Sequence, residues 1–134
     1  MIVVDASVLA AFILKEPGWR GLAGYIKRCT SVDHVLKEVS NAIWRACIVK
    51  GYIDLSSARE LLEVLMSLVE RNMVLEPEER YLSEALEVAL EDKITVYDAL
   101  YIAMARARNL PLLTLDKGQA RVARSYGVEV VVVD

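Results

Sequence analysis

Residues 95–116 read TVYDALYIAMARARNLPLLTLD. Two acids interrupt this otherwise mostly apolar stretch: Asp98 near its start and Asp116 at its end. Apolar spacing predicts a helix over about 96–107, with Thr95 as its cap and Asp98 as the partner acid of a capping box. Leu110 to Leu115, LPLLTL, is short and continuously apolar and reads as a buried strand that stops at Asp116. Asp116-x-x-Gln119 fits the cap of a further helix over about 117–125, closed by Gly127. Val128 to Val133, five valines around Glu129, gives the last strand. A short apolar strand between helices belongs in a parallel sheet covered on both faces.

The remainder of the chain repeats this alternation. Ile2–Val4 forms a first buried strand ending at Asp5, and Ser7 can cap a helix through Leu14, ahead of Pro17-Gly18. A helix near 19–28 and a strand near 29–32 follow. Asp33 or Ser31 can cap a helix whose stripe is Val35, Val39, Ala42, Ile43 and Ala46, running up to Gly51. Ser57-x-x-Glu60 reads as a capping box for a helix with Leu61, Leu62, Leu65, Leu68 and Val69 on its apolar side. Asn72–Leu75 is a brief strand, and Pro77 opens a helix with Leu82, Ala85, Leu86, Ala89 and Leu90 as its inner stripe. The expected fold is three-layer α/β/α with a short, mostly parallel central sheet. A length of 134 residues fits one domain over 1–134.

The composition, 55% apolar and 26% charged, is that of a globular domain. No apolar run approaches the roughly 20 residues needed to span a bilayer, and Met1–Asp5 lacks the basic start of a signal peptide. The expectation is a soluble, cytoplasmic protein. Cys29 and Cys47 have no metal-ligand or disulfide pattern and read as half-buried free thiols. His34, the one histidine, reads as a surface or capping residue. The net charge is −3, but residues 54–93 carry 11 acids and 4 bases, a balance of −7, which leaves +4 on the rest. That basic remainder holds Asp5, Glu38, Asp98 and Asp116 and leaves room for an anionic ligand beside them.

In open parallel sheets, ligands bind beyond the carboxyl ends of the strands. Asp5 and Asp116 follow strands there, although each also fits a helix cap. Glu38 shares a helix edge with Asn41 and Arg45, and Asp98 begins its own helix. Four carboxylates with no local base cannot all stay ionised in one low-dielectric pocket. Either their protons are retained or a cation sits among them. Oxygen donors without His or Cys select Mg²⁺ or Mn²⁺.

MIVVDASVLAAF at 1–12, EVSNAIWRA at 38–46 and TVYDALYIAMARARNLPLLTLDK at 95–117 resemble the PIN domain, in particular the VapC-type toxin nucleases. The resemblance implies a PIN-like fold and a Mg²⁺- or Mn²⁺-dependent endoribonuclease, the toxin of a type II toxin–antitoxin pair. It carries the acidic quartet onto Asp5, Glu38, Asp98 and Asp116, and the supporting polar residues onto Ser7, Asn41 and Thr114. It further implies a homodimer, an RNA substrate and a small VapB-like antitoxin that inserts into the groove. Arg20, Lys37, Arg45 and Lys117 are the candidate RNA contacts.

Other aromatic residues read plainly. Trp44 reads as core, Trp19 as surface or dimer contact, and Tyr97 and Tyr101 as packing. The leucine-rich stripes at 61–69 and 82–90 read as core or dimer surface. The competing readings are a noncatalytic PIN-like protein that binds RNA or a partner, and a receiver-type phosphoacceptor with an acidic Mg²⁺ pocket. The second fits poorly, because Asp5 has no adjacent acid and the strand near 73–75 ends in Glu76-Pro77. A haloacid-type phosphatase would need Asp-x-Asp where the chain reads Asp5-Ala6-Ser7.

Overall fold

The computed structural model describes residues 1–133. Five strands form one sheet: β1 (Ile2–Val4), β2 (Cys29–Val32), β3 (Met73–Glu76), β4 (Leu112–Leu113) and β5 (Val130–Val131). Their order is β3-β2-β1-β4-β5, and every pairing is parallel. β1 and β2 are buried throughout, as expected of strands covered on both faces. The last two strands are shorter than their apolar runs, because pairing ends after Leu113 and Val131.

Helices α1 (Ala6–Ile13), α3 (His34–Trp44) and α4 (Leu55–Asn72) pack together, whereas α5 (Leu82–Asp92), α6 (Val96–Arg108) and α7 (Lys117–Ser125) form a second group. The right-handed crossover rule accounts for the division. The chain steps from β1 to β2 to β3 in one direction, then returns past β1 to β4 and β5 in the other, so its helices change face. β1 and β4 therefore flank the point where the strand order reverses. The helix expected near 19–28 is a 3₁₀ turn, Trp19–Leu22, followed by the short α2 (Ala23–Ile26). Beyond α3 the chain continues as one π-helical segment, Arg45–Val49.

At α1 the cap falls on the first of two candidates, and at α4 it differs from expectation. Asp5, not Ser7, caps α1: its carboxylate accepts from the Val8 N–H at 3.2 Å. Asp54, not Ser57, caps α4, accepting from the Ser57 N–H at 2.7 Å. In each case an acid stood just ahead of the assigned serine, and a carboxylate accepts more strongly from backbone N–H than a hydroxyl does. Thr95 and Asp116 cap α6 and α7 as expected, and Gly127, at φ +79°, closes α7. Pro77 precedes a 3₁₀ turn, Glu78–Arg80, before α5 begins.

The inner side of α5 is also different. Ala85, Val88 and Ala89 are buried, while Leu82, Leu86 and Leu90 face solvent. α5 lies against α6 more extensively than any other pair of elements meets. Small alanines allow that close approach, which leucines at the same positions would obstruct. On α4, Leu65 is buried and Leu61, Leu68 and Val69 pack on the core, but Leu62 is exposed. Trp44, expected in the core, is 51% exposed, because α3 buries the face carrying Val35, Val39 and Ile43. Cys29 is buried rather than half-buried, and burial pushes its thiol up to about 11. Cys47 is half-buried and free. Among the described residues no helix is long and apolar enough to cross a membrane.

Candidate active site

Asp5 occupies the first turn beyond β1, at the reversal of strand order. Its backbone N–H donates to the Leu113 carbonyl at 3.3 Å, which ties it to the end of β4. Its carboxylate is 2% exposed as part of the residue and accepts from three directions. The Ser7 hydroxyl donates to Oδ1 at 2.6 Å, the Val8 N–H donates to the same oxygen, and the Thr114 hydroxyl donates to Oδ2. Ser7 Oγ in turn accepts from the Leu115 N–H at 3.0 Å, and Thr114 Oγ1 accepts from the Asp116 N–H at 3.0 Å. One hydroxyl network thus couples the ends of β1 and β4 and orients both acids. No base contributes to it. Burial pushes the Asp5 carboxyl up to about 6 despite these donors, and the charge of Glu38 adds to the effect.

Asp98 lies in the first turn of α6. Thr95 Oγ1 accepts from its backbone N–H at 3.2 Å. The carboxyl is raised above its ordinary value, first by burial, then by repulsion from Glu38 and Asp116. Glu38 reaches the same place from α3: the Tyr101 hydroxyl donates to its Oε1 at 2.7 Å. Asp116 caps α7 by accepting from the Gln119 N–H at 3.0 Å, while the Gln119 amide donates to the Asp98 carbonyl at 3.0 Å. Gln119 therefore joins α7 to α6 instead of completing a capping box. The four acids come from four elements; the charge of Glu38 acts on Asp5, and those of Glu38 and Asp116 act on Asp98.

Sequence reading missed two participants and one neighbour. Tyr101 is buried and packed as expected, but its hydroxyl is the direct partner of Glu38. Desolvation and the neighbouring Glu38 charge raise its own titration. His34 is 6% exposed rather than at the surface, and its Nε2 lies 3.3 Å from Glu38 Oε1, with no hydrogen-bond partner among the described residues. Its spacing of four from Glu38 was the available signal. Arg124 lies beside the site rather than in it: with Thr114, Asp116 and Lys117 it lines a cleft of about 390 Å³ that Asp116 alone of the four acids borders.

Other expected residues lie apart. Asn41 is exposed and, among the described residues, donates no hydrogen bond to any of the four acids; it lines a shallow surface with Lys37 and Trp44. Lys37 Nζ is 3.1 Å from both Glu78 carboxylate oxygens. Arg20 covers the Trp19 ring at 5.1 Å. Arg45 lines a separate pocket with Glu16 and Lys50. Lys117 alone of the four borders the cleft beside Asp116.

Among the described residues no three His, Cys, Asp or Glu side chains stand close enough together to cage an ion. The donor set nevertheless fits a hard divalent cation. It consists of carboxylate oxygens, two of them, Asp5 and Asp98, raised above their ordinary values by burial and neighbouring acids, and Mg²⁺ commonly takes only one or two carboxylates while keeping its waters. Asp5, already oriented by three donors, and Asp98, already repelled by two acids, are the residues whose ionised forms a cation would relieve.

The PIN domain family model matches residues 2–125. The chain is 34% identical over 129 residues to ribonuclease VapC1 of Mycobacterium tuberculosis, spanning 94% of this chain and 91% of that protein. It is 33% identical over 116 residues to exonuclease VapC9 of Pyrobaculum aerophilum, spanning 86% of this chain and 80% of that protein. Its structure resembles the crystal structure of PAE2754 from Pyrobaculum aerophilum, with a TM-score of 0.71 and 26% identity, covering 97% of this chain and 83% of that one. With the sheet order, the acids at its mouth and the length of these matches in agreement, the chain belongs to the PIN domain family.

Proposed function

We propose that the protein is a metal-dependent endoribonuclease, the toxin of a type II toxin–antitoxin pair. The observation that carries this reading is the electrostatic coupling of Glu38 to buried Asp5 and of Glu38 and Asp116 to half-buried Asp98, in a chain that aligns over most of its length with VapC nucleases. Asp5, Glu38 and Asp98 would hold Mg²⁺ or Mn²⁺, with Asp116 beside a second ion or an ion-bound water. A divalent ion there supplies charge neutralisation at the phosphate and a more acidic water.

The chain's own groups do the rest. Ser7, Thr114 and the Val8 N–H aim the Asp5 carboxylate, and Tyr101 aims Glu38. Asp98 and Asp116 stand at the N-terminal turns of α6 and α7, where the helix ends carry partial positive charge. Lys117 and Arg124 at the cleft rim are placed to meet backbone phosphates. Hydrolysis adds water across one P–O bond, leaving a phosphate on one fragment and a hydroxyl on the other. The cytoplasm, a homodimer and a small antitoxin covering the groove complete the proposal.

The test is cleavage of an unstructured RNA, linear and circular, in Mg²⁺, Mn²⁺ and EDTA. Metal-dependent opening of the circle, lost in Asp98→Asn, supports the proposal. Trimming of the linear form alone would make the enzyme an exonuclease. Equal cutting by wild type and Asp98→Asn would remove these acids from the chemistry. Growth arrest on expression, relieved by the product of an adjacent small reading frame, tests the toxin assignment.

A further inference from the structure

Tyr97 stands immediately before Asp98 in the first turn of α6 and is 58% exposed. An exposed tyrosine ordinarily samples several rotamers. This ring instead lies nearly parallel on the imidazole of His34, with centroids 4.8 Å apart and planes 15° from each other. His34 is itself immobilised by burial. Its Nε2 faces Glu38 at 3.3 Å, and its Nδ1 is 3.9 Å from Glu78 Oε2. One face of the Tyr97 ring is therefore backed by a fixed plane, and much of the remaining ring surface is open to solvent. The contacts Tyr97–His34–Glu38 leave a single imidazole between that ring and a carboxylate of the site.

We propose that Tyr97 is the stacking platform for a nucleobase of single-stranded RNA next to the scissile phosphate. This rests on the nuclease reading and gives it a substrate subsite. Stacking suits the local chemistry. A base is uncharged, so it can approach an acidic mouth that repels the phosphates around it. A preformed platform also loses little rotamer freedom on binding. Any base has a π-face, so the subsite tolerates sequence and favours unpaired nucleotides. A protein partner covering Tyr97 is the alternative that the experiment exposes.

The probe is a short, fluorescein-labelled, unstructured RNA of mixed sequence, followed by anisotropy in EDTA and in Ca²⁺, with cleavage in Mn²⁺ read in parallel. Tyr97→Phe should bind like wild type. Tyr97→Ala and Tyr97→Leu should bind roughly 10-fold more weakly, with KM raised and kcat little changed. Placing an abasic nucleotide at the mapped cut site should weaken wild type but not Tyr97→Ala. Thermal melts of each variant report folding, which an exposed position should leave intact. Equal RNA affinity in wild type and Tyr97→Ala overturns the platform and leaves Tyr97 to a protein partner. Tyr97→Leu matching Tyr97→Phe overturns it too, since apolar bulk alone would then suffice. RNA bound through Tyr97 but never cut would sink the nuclease reading and keep the platform. Wild type that binds no RNA in either buffer overturns both.

Discussion

Asp5 and Glu76 stand at equivalent places on one sheet, Asp5 just beyond β1 and Glu76 as the last residue of β3, yet their surroundings are opposite. Glu76 accepts from Arg108 Nε at 2.9 Å, from the Tyr81 hydroxyl at 2.7 Å and from Arg80 Nη1 at 3.2 Å. Arg108 Nη2 donates to it as well. The hydrogen bonds from Arg108, more than any other cause, hold its carboxyl down at about 2. Asp5 receives only neutral donors and is pushed up to about 6 by burial. A satisfied carboxylate fastens structure together: Glu76 pins the end of β3 to the end of α6. A carboxylate left without a counter-charge destabilises its own ionised form, and such sites persist where another cation or reaction uses them. The same residue class at the same kind of strand end thus has two jobs, separated by whether an arginine is in reach.

The sharpest way to break this contrast is Asp98→Asn. If the site around Asp5 and Asp98 holds a catalytic ion, removing one of its ligands should lower RNA cleavage by roughly 1,000-fold, the equivalent of several kcal/mol at the transition state, with the melting temperature unchanged or raised. Unchanged cleavage would leave the two regions equally structural. Asp5→Asn comes next. It should abolish most cleavage and yet stabilise the metal-free protein at pH 7.5 by up to about 3 kcal/mol, from a shift of roughly two pH units at 1.36 kcal/mol each. Denaturant titration in EDTA reads this directly, and a destabilised Asp5→Asn would contradict the uncompensated-charge account.

The pH dependence has opposite signs in the two regions. The Asp5 carboxyl is raised in the fold, so its contribution is fully present below the ordinary value of 3.8 and is lost as pH rises through about 6. The Glu76 carboxyl is depressed, so its contribution is present above the ordinary value of 4.5 and is lost as pH falls toward 2. Metal-free wild type should therefore gain stability on going from pH 7 to pH 5, and Asp5→Asn should flatten that gain.

Tyr101→Phe should reduce divalent-ion affinity and cleavage by about 10–100-fold, because only the hydroxyl that aims Glu38 is removed. Calorimetric Mn²⁺ titration separates this from a packing defect, which would lower the melting temperature without altering ion affinity. The smallest effect belongs to Glu76→Gln. Arg108 is half-exposed and screened by water, so the loss should be about 1 kcal/mol of stability, with cleavage retained. A Glu76→Gln variant that folds normally but no longer cuts RNA would move Glu76 into the functional region.

Much of the architecture was written in local pattern. The short apolar runs at 2–4 and 110–115 read directly as buried strands between helices, and parallel pairing followed, whereas the strand at 29–32, CTSV, was only weakly signalled because two of its four residues carry hydroxyls. Asp5 and Asp116 were legible as strand-end acids because the residues before them are so apolar. Thr95 and Asp116 were legible as caps because capping depends on neighbours within four residues. What a residue meets across the fold was not. Tyr101 looked like packing, since an apolar helix says nothing about which acid its hydroxyl will find on α3. His34 looked exposed or capping because one polar residue at a helix start is usually solvated, and its surroundings depend on Tyr97 and Glu78 arriving from other elements. Trp44 and the leucines of α5 turned outward because the register of one helix on another is chosen by close packing, which periodicity alone leaves open by a residue or two. Local chemistry determined where the acids stand along the chain; the packing of α6 against β1 and β4, and the reach of Tyr101 to Glu38 on α3, decided which of them feel one another's charge.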